Sequence, residues 1–160
     1  MAHDDQERPL PLDPDLDADE GPSGDPLPVH LNWRFLGLVA LGGIFGTGSR
    51  HLLGDAIGTT RDFPLGTFLI NIVGAFALGV LLEILARRGS DAGHRRTLRL
   101  VLGTGYLGGF TTYSSLAVDT DTLLRSDRLG LAAAYALGTI ILGLIASVGG
   151  IALARKTVRL

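Results

Sequence analysis

From Leu129 to Ala154 the chain carries no charged side chain. That run exceeds the ~20 apolar residues that take a helix across a bilayer. A length of 160 residues alone would permit one soluble domain. A mean hydropathy of +0.34, with only 19% charged residues bunched at the ends and between apolar runs, points instead to a membrane protein. Two further segments reach the same length, from about Trp33 to Leu53 and from about Leu65 to Ala86. Pro64 opens the second of these and suits a first helical turn, where its missing N–H leaves no bond unmade.

A fourth segment, about Leu98 to Leu124, is of another kind. Its middle reads Gly103-Thr-Gly-Tyr-Leu-Gly-Gly-Phe-Thr-Thr-Tyr-Ser-Ser115. So many glycines and hydroxyls make a poor continuous helix, and non-helical backbone survives at membrane depth only where protein buries it or it lines a cavity. The composition predicts a helix broken around Gly108–Thr111, whose released carbonyls need a partner such as a cation. The expected fold is therefore all-α, with four transmembrane helices at about 33–53, 65–86, 98–124 and 129–154. Small residues four apart (Gly42 and Gly46; Ala134 and Gly138; Ala146, Gly150 and Ala154) favour close helix approach in lipid. Four short helices enclose little by themselves, so a dimer is expected.

Charge divides the chain in two. Residues 1–30 hold nine acids against Arg8 alone, with six of the seven prolines, and read as a disordered acidic tail ahead of a four-helix transmembrane domain at 31–160. The tail lacks the basic-then-apolar order of a signal peptide. Arg34, Arg87, Arg88, Arg95, Arg96, Arg99, Arg155, Lys156 and Arg159 fall on one side of the expected spans. The other side has Arg61, Arg125 and Arg128, with Arg50 close by. This bias predicts that both termini are cytoplasmic.

Polar residues inside the spans are the functional candidates. Asn71 sits mid-span with Thr67 one turn before it; its amide can replace part of an anion's hydration shell, or simply join two helices. Tyr135 and Thr139 form a one-faced hydroxyl pair that Gly143 continues without a hydroxyl, although a Thr can also bond a carbonyl one turn back. Arg50 either snorkels to the interface or draws anions to a vestibule. Soluble enzyme chemistry finds no footing. The chain has no Cys and no phosphate-binding Gly-x4-Gly-Lys-Ser/Thr loop. His3, His30, His51 and His94 show no metal-ligand spacing. No Ser/His/Asp set and no basic nucleic-acid face is evident, so neither an enzyme nor a nucleic-acid partner is expected.

Three motifs carry a family resemblance. Gly43-Ile-Phe-Gly-Thr-Gly-Ser-Arg50, Pro64-Leu-Gly-Thr-Phe-Leu-Ile-Asn-Ile-Val-Gly74 and Gly105-Tyr-Leu-Gly-Gly-Phe-Thr-Thr-Tyr-Ser-Ser115 resemble, in order, the first three helices of the CrcB/Fluc fluoride channels, over about residues 33–154. The resemblance implies passive export of fluoride across the plasma membrane by an antiparallel dimer of dual-topology type. It also implies a structural, untransported Na⁺ at the dimer centre, held by the Gly108 and Thr111 carbonyls of each subunit. Asn71, Tyr113, Ser114, Ser115, Tyr135 and Thr139 match its fluoride pathway, Arg50 its vestibule charge, and Asp119 a position where the family usually has Glu. Of two family phenylalanines, the first is Tyr113 here and the second Leu116, which offers no positive ring edge. Either the pore tolerates Leu116, or a paired homologous subunit supplies the ring in a heterodimer; the unbalanced loops suit the latter. Two rivals are a small multidrug exporter, which wants a deep carboxylate that the first span lacks, and a non-conducting assembly subunit.

Overall fold

The computed structural model describes residues 16–20, 26–28, 32–60 and 62–157. Within the leader, β1 (Leu16–Glu20) and β2 (Pro26–Pro28) pair antiparallel, Leu16 opposite Pro28 and Glu20 opposite Pro26. A two-stranded ribbon is all edge, where proline's missing donor is tolerated. The rest of the leader read as disordered, together with Arg61 and Arg159 of the charge count, lies outside the described residues.

The body is helical. Helix α1 runs Trp33–Ile57, longer than expected at its C-terminal end, and α2 runs Leu65–Arg87 behind Pro64, whose φ of −73° is already near helical. The third region is a composite: α3 (His94–Leu98), a π-helical stretch (Arg99–Leu107) and a single turn, α4 (Gly108–Phe110). Backbone then turns extended at Thr111 (φ −80°, ψ 160°) and Thr112 (φ −152°, ψ 123°) before α5 (Tyr113–Arg125) begins. The closing helix, α6, runs Leu129–Thr157.

Glycine allows these helices to touch backbone to backbone. A Cβ on Gly46 of α1 would run into the Tyr106 carbonyl of the π-helical stretch, and one on Gly109 would lie 2.6 Å from the Gly43 carbonyl. Helices α2 and α6 interlock in the same way, Gly79 against the Ser147 carbonyl and Gly150 against that of Phe76. Two apolar clusters fill what remains. One joins Leu116, Leu123, Ala132 and Tyr135, and the other Ile70, Leu107 and Phe110.

Much apolar surface stays outside. Ile140, Ile141, Leu144 and Ile145 of α6 and Ile44, Phe45 and Leu52 of α1 are all exposed. Among the described residues, α2 and α6 are each long and apolar enough to cross a membrane, yet only 22% and 11% of their most apolar windows are buried. The core helix of a soluble protein would be mostly buried; these turn their apolar faces outward, as helices in lipid do. The chain is an all-helical membrane protein in its body.

Candidate functional site around the broken helix

An extended pair of residues inside an apolar region interrupts the i→i−4 ladder, and each stranded backbone group needs a partner. Thr111 keeps the last helical bond, its N–H donating to the Leu107 carbonyl at 2.9 Å. Beyond it, side chains of α1 and α2 take over. Thr47 Oγ1 donates to the Gly109 carbonyl at 3.4 Å and Arg50 Nη1 to that of Thr111 at 3.5 Å. Asn71 serves Thr112 twice: Nδ2 donates to its carbonyl at 3.0 Å, and its N–H donates to Asn71 Oδ1 at 2.8 Å. One primary amide thus replaces a neighbouring strand. Gly74, one turn further along α2, leaves room for the Thr111 methyl, which a Cβ there would strike.

Thr112 also starts α5. Its Oγ1 accepts the Ser115 N–H at 3.1 Å, an N-cap bond, and lies 3.1 Å from Ser114 Oγ and 3.2 Å from Ser115 Oγ. Beside this hydroxyl cluster opens a cavity of about 470 Å³ whose wall includes Arg50, Asp55, Thr67, Thr112, Ser115 and Asp119. Its polar groups come from α1, the α1–α2 connection, α2 and α5 with its N-cap.

The expected pathway residues divide among three surroundings. Arg50, Ser115 and Asp119 meet in the cavity wall. Tyr135 is fully buried among Phe63, Phe68 and the α5 core; its hydroxyl donates to Asp119 Oδ2 at 2.9 Å, so it reaches the cavity through that carboxylate. Thr139 is buried and donates to the Tyr135 carbonyl at 2.7 Å, one turn back on its own helix. Tyr113 is 82% exposed and is not among the residues lining the cavity, Ser114 is exposed beside Thr112, and Leu116 is packed in the core. The Gly108 and Thr111 carbonyls flank the break. Thr112, Thr47, His51 and Asp55 were not singled out from the sequence. A threonine just ahead of a helical run is an N-cap signal that points to the first. His51 and Asp55, four apart and so on one face of α1, line the cavity with Arg50.

Outward apolar helices and a polar cavity against a helix broken within them define a helical membrane protein. Residues 37–151 match the CrcB-like protein family, described as Camphor Resistance (CrcB), and the chain belongs to that family. It is 52% identical over 126 residues to a "Fluoride-specific ion channel FluC 2" of Leifsonia xyli subsp. xyli, covering 79% of this chain and 87% of the relative. It is 46% identical over 109 residues to "Fluoride-specific ion channel FluC 1" of Cutibacterium acnes, covering 68% and 76%. With "Fluoride-specific ion channel FluC" of Agrobacterium fabrum the identity is 41% over 125 residues, covering 76% and 96%.

Proposed function

We propose that this chain is a subunit of a fluoride channel that passively exports fluoride across the plasma membrane. The observation that carries the reading is the cavity beside the break, where the Arg50 cation stands with the hydroxyls of Thr67, Thr112 and Ser115. Fixed positive charge attracts an anion, and hydroxyl donors replace its water. Asp55 and Asp119 share the wall, and the Tyr135 hydroxyl donates to one Asp119 oxygen. The names of relatives up to 52% identical supply the ion. Fluoride enters cells as HF and is trapped inside as the anion. A negative interior then drives it outward at about 2.3 kcal/mol per 100 mV, so no coupled energy source is needed.

The same proposal includes four spans with cytoplasmic termini, an antiparallel dimer and a central structural Na⁺. The donor chemistry fits such an ion: neutral carbonyl oxygens suit a hard cation, and Thr111 leaves the helix in extended conformation. Gly108 and Thr111 would hold it, and the ion would supply a fixed positive charge joining two subunits. Arg50 already touches the Thr111 oxygen at 3.5 Å, and a carbonyl's two lone pairs serve more than one partner. Whether the dimer is of one chain or two is tied to Leu116, which packs in the core of its own subunit: either the pore works without the second aromatic, or a paired homologous subunit supplies it. Asn71→Asp places a negative charge against the path and should suppress fluoride efflux from liposomes at least about tenfold. Undiminished efflux would remove Asn71 from the pathway.

A further inference from the structure

The carbonyls around the break raise a question of supply. In an uninterrupted helix the Thr112 N–H would donate to the Gly108 carbonyl, four residues back. Here that N–H points away and donates to Asn71 Oδ1 at 2.8 Å, while Asn71 Nδ2 holds the Thr112 carbonyl at 3.0 Å. The preceding N–H, on Thr111, still closes its helical bond to Leu107. The ladder therefore first fails at Thr112, the residue whose two backbone groups Asn71 occupies. Gly74 fixes the approach, because only a glycine at that point of α2 admits the Thr111 side chain. Asn71 and Gly74 together make a socket on one face of α2 that receives the extended Thr111–Thr112 pair.

We infer that Asn71 is a positioning residue for the cation site: by taking the Thr112 N–H it withholds from the Gly108 carbonyl the donor that would satisfy it, and by holding Thr112 extended it keeps Thr112 Oγ1 placed to take the Ser115 N–H, the helical donor of the Thr111 carbonyl, so that both oxygens are left for a hard cation. This rests on the sodium part of the proposed function and adds a cause for it. It also alters the part Asn71 plays for an anion. One of its two N–H donors is committed to Thr112, so a passing fluoride meets at most the other. Anion path and cation site are linked through a single amide.

The two roles separate by substitution. Asn71→Asp keeps an oxygen to accept the Thr112 N–H, whereas Asn71→Leu keeps the approximate size and no acceptor. The readout is the rise in thermal unfolding temperature of the purified full-length chain when Na⁺ replaces N-methylglucamine, titrated to give an apparent Na⁺ affinity. Circular dichroism checks that each variant is folded. Wild type should be stabilised by Na⁺, Asn71→Asp should retain that response although its fluoride flux falls, and Asn71→Leu should weaken the apparent affinity by about 10–100-fold, as loss of an outer-shell partner does. A folded Asn71→Leu with the wild-type Na⁺ response would overturn the inference. Loss of the response in Asn71→Asp would overturn it too, and that arm decides if the Leu variant does not fold. A wild-type chain that conducts fluoride but ignores Na⁺ would sink this inference and leave the channel reading standing; one that responds to Na⁺ but passes no fluoride would do the reverse.

Discussion

Several side chains here do something other than their type suggests. Leu116, at a position where an aromatic edge is expected toward the ion, points into the cluster with Leu123, Ala132 and Tyr135. Restoring the ring by Leu116→Phe should therefore overpack that core, lowering stability by about 1–3 kcal/mol in denaturant or thermal unfolding, and should not raise fluoride flux. A stable variant with faster flux would mean that the side chain reaches the pathway. Thr139 and Tyr135 were legible as a hydroxyl stripe on an apolar helix, and so was the carbonyl one turn back as Thr139's alternative, but the partner of Tyr135 was not. Thr139 takes the local alternative open to any helical threonine. Tyr135 bonds Asp119 from another element, and no spacing along one helix announces such a contact.

At the scale of elements, the apolar runs carried most of the helix bounds, because length and charge spacing are what a bilayer selects. The break was legible for a similar reason: glycines and hydroxyls that weaken a helix cluster at residues 103–115. Its residue-level position depends on Asn71, forty-one residues away from Thr112 in sequence, and only packing reveals that. The π-helical stretch at Arg99–Leu107 left no mark in the pattern, since few residues there are polar enough to show any period. Glycine gives a sharper test of packing. Gly46→Ala drives a methyl into the Tyr106 carbonyl, whereas Gly48→Ala on the same helix meets nothing within 4 Å. The first should destabilise by about 1–3 kcal/mol or more, and the second should be neutral or gain about 0.5–1 kcal/mol from helix propensity. Thermal unfolding of the pair in one detergent compares them, and equal effects would contradict the backbone contact.

At the scale of the whole molecule, the cavity and the break occupy one region, Thr112 and Ser115 belonging to both. Tyr113, exposed on α5, and the uncovered faces of α1 and α6 wait on lipid or on another subunit. The claim beneath all of this is that the chain passes fluoride. Its most direct test reconstitutes the purified chain alone in liposomes loaded with fluoride, or separately with chloride, and follows efflux with ion-selective electrodes under a potassium-diffusion potential. Rapid fluoride efflux with chloride retained is the predicted result, and it would also show that one polypeptide suffices. Efflux that appears only with a paired homologous subunit would keep the function and make the channel a heterodimer; equal loss of both anions, or none of fluoride in either arrangement, would contradict the account.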